Sequence, residues 1–410
     1  MFSQVALAAK FKAKGRTFMS TTMSTPSLRQ GTVRQRPPRG KAQAHKGVAP
    51  LNSITDKHFE PLPKPLGQPP YHYDLETAIP GITKVAEKMG QMVFHTVGDT
   101  GGIKNADFQT LVAAQMKTDL TSKNVADVPR FFYHLGDVVY YNGEVKDYFE
   151  QFYTPYDHYD PPIFAIPGNH DGDPVDSTQT SLDGWVRYFM SPTPHIDEIS
   201  SDAPRVTMSL PFVYYTLNCP YVTIVGMYTN VPEGGSVDSV QQQWFTNEFA
   251  TAPKDKALVA AMHHPVYSFD DHHSGSPAMA DVLEKAINDS LRVPNMVLTA
   301  HVHNYQRIER EIAKGIKTPF LVAGHGGYYH RHNLTVDNGH VDHDLGAHLI
   351  FGEDKHHGYV TLFVDDKNIT GLMTPIAETG SSKHKNDAKP DNFKYSTKCI
   401  TMPKGTTVSL

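Results

Sequence analysis

Between residues 78 and 374 the chain alternates short apolar runs with longer stretches of helical periodicity. Met92–Val97, Phe131–Leu135, Pro162–Ile166, Tyr221–Met227, Ala257–Met262, Met296–Thr299, Pro319–Val322 and Tyr359–Val364 read as buried strands. Asp107–Leu120, Glu144–Tyr153, Leu182–Met190, Val237–Phe249 and Ala278–Leu291 read as helices. This alternation predicts an α/β domain with a largely parallel or mixed sheet covered by helices. In open sheets of this kind, ligands bind beyond the carboxyl ends of the strands.

The flanks lack the pattern. Residues 51–75 are rich in Pro and aperiodic, which predicts an extended lead-in, and residues 1–50 are polar and poor in aromatics, so they should not pack. Beyond Glu378, Ser, Lys, Asp and Gly dominate, apart from a short apolar patch near Ile400. The expected organisation is a basic and Pro-rich segment over 1–75, a catalytic domain over 76–375, and a tail over 376–410 draped on that body.

Charge sharpens this division. Residues 1–50 hold ten Lys/Arg and no Asp or Glu, leaving 28 basic and 43 acidic residues in the remainder. An acidic body argues against a folded nucleic-acid surface, so no nucleic-acid partner is expected. Small phosphate substrates stay open, because bound cations can supply the local positive charge. No run approaches the ~18 apolar residues of a membrane-spanning helix. Val5–Ala9 is shorter than a usual secretory apolar core, and no clear small-residue cleavage site follows it. Met1–Arg39 keeps two readings, an unstructured tail or the transit peptide of a eukaryotic organelle. Cys219 and Cys399 are the only cysteines, enough for one bridge and without a CxxC spacing.

Five of the predicted strands end alike. Met92–Val97 runs into Gly98-Asp99-Thr100-Gly101, and Phe131–Leu135 into Gly136-Asp137-Val138-Val139-Tyr140. Pro162–Ile166 runs through Pro167 into Gly168-Asn169-His170-Asp171. Ala257–Met262 runs into His263-His264-Pro265, and Met296–Thr299 through Ala300 into His301-Val302-His303. Each strand delivers a metal-competent side chain at its carboxyl end, usually after a Gly that lets the backbone turn sharply. Carboxylate, amide, imidazole and phenol without thiolate suit Fe, Zn or Mn better than a structural zinc site. A lone Gly-Asp is most often a turn and a lone His a satisfied polar group. Five such ends in this order point to metal, and two cations about 3.5–4 Å apart clamp an in-line phosphoryl displacement.

The ordered set Asp99-x-Gly101, Gly136-Asp137-x-x-Tyr140, Gly168-Asn169-His170-Asp171, His263-x-Pro265 and His301-x-His303 resembles the calcineurin-like metallophosphoesterases. Tyr140, three residues after Asp137, is similar to the mark of their purple acid phosphatase branch, as is the stretch Gln241–Ser268. The resemblance covers residues 92–375. It implies a four-layer α/β/β/α sandwich of two mixed sheets, with a dinuclear metal site at the carboxyl ends of the strands. It also implies that Asp99, Tyr140 and His303 bind one ion, Asn169, His263 and His301 the other, and that Asp137 bridges them. The ions implied are iron paired with iron, zinc or manganese. His170 would sit beside the leaving-group oxygen as acid or hydrogen-bond donor, and His272 and His273 stand where plant-type members carry substrate-contacting histidines.

Some positions depart from that pattern. Ala300 replaces a usual Gly before the His-x-His pair, Ala260 a usual Val, and His325 a smaller residue. The stretch before Asp99 is too short for the extra β-sandwich of the large plant enzymes. Residues 325–357 hold eight His, either a rim over the site or a solvated loop. The activity implied is hydrolysis of a small phosphate ester by a metal-activated water, of the acid phosphatase type. A phosphodiesterase on the same scaffold is the alternative, and a non-catalytic binding scaffold should lack a ligand, whereas this chain keeps all seven.

Overall fold

A computed structural model describes residues 58–377 and 388–410, so the expectations for residues 1–50 lie outside the described residues. The described chain opens with β1 (His72–Asp74), α1 (Leu75–Ala78) and α2 (Ile82–Met89). It continues through β2 (Met92–Val97), α3 (Asp107–Asp119), β3 (Phe132–His134) and β4 (Ile163–Ala165). All six residues of β2 are buried, including the polar His95, whose Nδ1 lies 3.0 Å from Tyr159 Oη. β2 pairs in parallel with β3 and β3 with β4, so three carboxyl ends open on one edge. Glu144–Tyr153, expected as one helix, is instead a 3-10 turn over Val145–Asp147 and a π-helical turn over Phe149–Tyr153. The wider turn carries Gln151 inward, where its Oε1 accepts from the Tyr140 N–H at 2.9 Å and its amide donates back to Tyr140 O at 2.5 Å. Capture of that loop outweighs regular helical spacing.

After α4 (Asn169–Gly172) and α5 (Asp183–Phe189) come β5 (Tyr215–Asn218), β6 (Val222–Gly226), α6 (Ser239–Thr251) and β7 (Ala257–Ala261). Then follow α7 (Pro277–Ser290), β8 (Arg292–Val293), β9 (Met296–Thr299), β10 (Tyr305–Ala313) and β11 (Ile316–Ala323). The helix starts obey local chemistry. Asp238 caps α6 by accepting from the Gln241 N–H at 2.7 Å, and Ser276 caps α7 just before Pro277. The chain closes with β12 (Val341–Asp342), β13 (Ala347–Glu353), β14 (Gly358–Val364), β15 (Asn368–Pro375), β16 (Asp391–Ser396) and β17 (Ile400–Thr401).

Among the described residues, a nine-stranded sheet runs β1-β5-β6-β7-β9-β11-β10-β13-β12 and a six-stranded sheet β16-β15-β14-β2-β3-β4. β6, β7, β9 and β11 are mutually parallel, whereas β10, β14 and β15 run antiparallel to their neighbours, so both sheets are mixed. The sheets meet face to face. Tyr215 Oη on β5 donates to Ala165 O on β4 at 3.2 Å, and Gly226 on β6 leaves room for the Tyr133 ring of β3. Helices flank the pair, giving the α/β/β/α arrangement. Phe94 stacks on Phe131 at 4.7 Å and Phe164 meets Phe131 edge-on at 5.7 Å, in a core where each large side chain contributes about 1.5–3 kcal/mol by burial.

Two segments outside 76–375 join this framework. β1 pairs with β5, and β16 extends the six-stranded sheet beyond β15. β16 has little apolar signal; its Asp391 is held by a bidentate pair with Arg307 of β10, at 2.7 and 2.9 Å. Cys219 is buried and both cysteines are free, so the one bridge the sequence allowed is not formed.

Candidate metal centre

The five strand ends bring their side chains to one place. β2, β3 and β4 of one sheet supply Asp99, Asp137 and Asn169, while β7 and β9 of the other supply His263, His301 and His303. Asp99, Asp137 and His301 all sit at positive φ, 55°, 53° and 66°. Such backbone is uncommon outside Gly and clusters at functional sites. Ala300 is not among these residues, so the Gly it replaces is not needed for φ. Its methyl instead lies where a Cβ on Gly98 would come within 2.5 Å, so the two sheets touch here through a glycine.

The donors fall into two groups. Tyr140 Oη lies 3.0 Å from Asp99 Oδ1 and 3.4 Å from His303 Nε2. Asn169 Oδ1 lies 3.1 Å from both His263 Nε2 and His301 Nδ1. Asp137 stands between the groups. Its Oδ1 is 3.4 Å from His263 Nε2, and Asp99, Asp137 and His263 each offer an atom within 4.8 Å of the others. Gly168 is required beside it, since any Cβ there would strike the Asp137 carboxylate.

The outward nitrogens of these imidazoles are anchored. His263 Nδ1 is 2.8 Å from Leu135 O, His303 Nδ1 is 2.9 Å from His330 O, and His301 Nε2 is 3.4 Å from Glu233 Oε1. Each bond fixes the ring and leaves the other nitrogen facing the centre, as metal-binding histidines are held. His170 is tied likewise, Nδ1 to Tyr141 O at 2.9 Å, and its ring lies 4.6 Å from that of Tyr140.

Electrostatics favour a cation here. Burial pushes the Asp99 carboxyl well above its usual range, with Asp137 adding to the rise. Burial also opposes charge on Asp137, but the His263, His170 and His301 imidazoles bring it well below the usual range. Burial pushes His301 down to about 4, a neutral imidazole ready to donate a lone pair. Carboxylate, phenol, amide and neutral imidazole form a hard-to-borderline donor set, and these clustered His and Asp side chains fit a dinuclear metal site.

His272 and His273 divide. His273 approaches the centre, its ring 4.5 Å from that of His301, whereas His272 turns outward and stacks on His332 at 4.3 Å. The histidines of 325–357 split too. His332 lies 4.4 Å from the His303 ring and His330 is exposed beside it, so this part forms a rim. His325 and His357 are buried, and His343 is exposed. Sequence reasoning missed Glu233, whose carboxylate joins His273 Nδ1 at 2.9 Å to His301. Seven residues past the end of β6, it carried no strand-end signal.

Comparison with known proteins agrees with this geometry. The chain is 25% identical over 312 residues to tartrate-resistant acid phosphatase type 5 of Rattus norvegicus, covering 71% of this chain and 88% of that protein. The Homo sapiens protein of the same name is 25% identical over 316 residues, covering 71% and 89%. A purple acid phosphatase from yellow lupin (Lupinus luteus) seeds shares the fold with a TM-score of 0.53 at 17% identity. That match covers 77% of this chain and 57% of the lupin chain, so this chain spans little more than half of that structure. Among the described residues no helix is long and apolar enough to cross a membrane. The calcineurin-like phosphoesterase family profile matches residues 54–305, more than half of the chain, and the protein thus belongs to that family, as a metal-dependent phosphoesterase.

Proposed function

We propose that the protein is an acid phosphatase-like phosphomonoesterase that holds two ions, iron paired with iron, zinc or manganese. The division of the donors carries this reading: Asp99, Tyr140 and His303 for one ion, Asn169, His263 and His301 for the other, and Asp137 for both. A phenol within 3.0 Å of Asp99 and 3.4 Å of His303 supports ferric iron in the first position. When bound, the ions supply an activated water and polarise the phosphoryl group. The residues of the chain do the rest. Asp137 keeps the two groups in register. His273, tied to Glu233, contacts the phosphoryl oxygens, with His272 behind it. His170 has its Nδ1 engaged by Tyr141 O, so its Nε2 is the nitrogen that can hand a proton to the departing alkoxide. Burial lowers the His170 pKa below the usual imidazole value, so this donation strengthens as pH falls. Relatives named acid phosphatases are in keeping with that direction.

The test is His170→Ala with two substrates. General acid help is worth about 10²–10⁴-fold where the leaving group needs a proton. The rate on an alkyl phosphate therefore falls by that order, and on nitrophenyl phosphate, whose leaving group departs as an anion, by much less. Equal losses on both, with metal content intact, would leave His170 a positioning residue. Faster turnover of a bis-nitrophenyl diester than of the monoester by the wild type would overturn the monoesterase reading.

A further inference from the structure

Beside the dinuclear centre, and sharing none of its seven donors, stands a second group of imidazoles. His272, His330 and His332 each offer a ring nitrogen within 4.8 Å of the other two. His330 and His332 come from the loop after β11, and His272 from the loop after β7. The two loops are stitched together by an Asp270–Leu334 bridge and by the Asn333 side chain on Asp271 Oδ2 at 2.8 Å. The cluster is therefore a product of tertiary structure and is held by the fold.

Its surroundings are built as well. His272 Nδ1 is 2.8 Å from Asp271 Oδ1, and His332 Nδ1 is 3.2 Å from Asp270 Oδ1. Asp270 is itself fixed, its side chain fully buried, accepting from the His272 and His273 N–H groups at 2.8 Å each and from Asn304 Nδ2 at 2.9 Å. A carboxylate on the Nδ1–H of a histidine orients the ring and makes Nε2 a better donor, the arrangement found behind metal-binding imidazoles. His272 has it already, and the buried His332 Nδ1 stands beside Asp270 without a hydrogen bond.

We propose that His272, His330 and His332 bind a third metal ion at the rim of the active site, a borderline d-block dication such as Zn²⁺. Three imidazoles select such ions over Mg²⁺ or Ca²⁺, which take oxygen ligands. Zn–N bonds of about 2.0–2.1 Å need ligand nitrogens roughly 3.4 Å apart, so the cluster tightens on binding. One movement is required. The His272 and His332 rings are stacked, 11° from parallel, and one ion cannot lie in the planes of two parallel rings. His272 is the ring that swings: its side chain is 36% exposed, against 3% for His332. His272 and His330 are exposed, so a water or an oxygen of an entering phosphate could reach the ion as a fourth ligand.

The test counts ions. Untagged full-length protein is dialysed to equilibrium against micromolar Zn²⁺, and zinc per chain is measured by mass spectrometry. Three ions per chain are expected in the wild type and two in His330→Gln, an exposed position whose backbone carbonyl on His303 is retained. His272→Gln should give two as well. Saturation of the wild type at two ions, or three ions still bound by both variants, overturns the proposal. Iron-loaded samples separate this outcome from a failure of the dinuclear reading. A Tyr140 phenolate on ferric iron would absorb visible light by charge transfer; that band stays unchanged in His330→Gln if the third site is independent, and its loss alongside the zinc overturns that independence.

Discussion

Glu233 offers the most discriminating perturbation of the dinuclear centre, because it touches only one half of it. Its Oε1 lies 2.9 Å from His273 Nδ1 and 3.4 Å from His301 Nε2, whereas His263 and His303 lean on backbone carbonyls. Burial alone would raise its carboxyl, but the hydrogen bonds from His273 and His301 hold it well below the usual carboxylate range, so it acts as an anion. Glu233→Gln keeps the volume and one acceptor while removing the charge, and a charge-assisted hydrogen bond is roughly twice as strong as a neutral one. Loss of such an outer partner costs about 10–100-fold in metal affinity. At 3.4 Å the bond to His301 is long, so the expected loss is near the lower end, about tenfold or ~1.4 kcal/mol. It should fall on the ion proposed for Asn169, His263 and His301, and spare the one proposed beside Tyr140. The assay is a competition titration with a chromogenic chelator, with the visible band of iron-loaded protein reporting on the Tyr140 ion. The melting temperature should barely move. Equal weakening of both ions, or earlier loss of the Tyr140 ion, would refute the reasoning.

Two further outcomes follow from the same structure. Tyr140→Phe keeps a ring that stacks on Tyr328 at 4.2 Å, so stability should change by no more than about 1 kcal/mol, while the visible band of iron-loaded protein disappears; a band that persists would remove Tyr140 from the ligands. Asp197 accepts from Arg187 Nε at 2.7 Å and from Nη2 at 2.9 Å, and the Arg187 guanidinium holds its carboxyl below the usual range. A carboxylate with a depressed folded pKa stabilises above its unfolded pKa of about 3.9, and loses that contribution as pH falls through the folded value. Asp197→Asn should therefore melt earlier than the wild type at pH 7, with a gap that narrows below pH ~4; a gap constant across that range would show that the charge is not what matters.

How much was legible depended on how far each element relies on its own residues. β2 and β9 were readable to the residue, because short, mainly apolar runs suit a strand buried on both faces, even with His95, Thr96 and Thr299 among their residues. β10 and β13 were not, since their solvent-facing positions carry Arg, Glu and His and the apolar signal is diluted. β16 failed the same way, as its anchor is the pairing of Asp391 with a distant Arg307 rather than a run of apolar residues. The turn at Phe149–Tyr153 was read as α-helix because its spacing is nearly helical; the contact from Gln151 to Tyr140 that widens it cannot be seen along the chain.

The division at the active site has the same cause. Sequence alone determined which side chains end the strands and in what order, because a Gly followed by Asp or Asn, or a His directly after an apolar run, is a local feature. Tertiary structure decided the rest: that three of those strands lie in one sheet and two in the other, that Asp137 falls between the two groups, and that Glu233 stands behind His301. It also decided that His272 leaves His273 and joins His330 and His332, residues 58 and 60 positions further along the chain. Distances between side chains are set by how two twisted sheets pack against each other, and that packing depends on the whole core at once rather than on any segment of it.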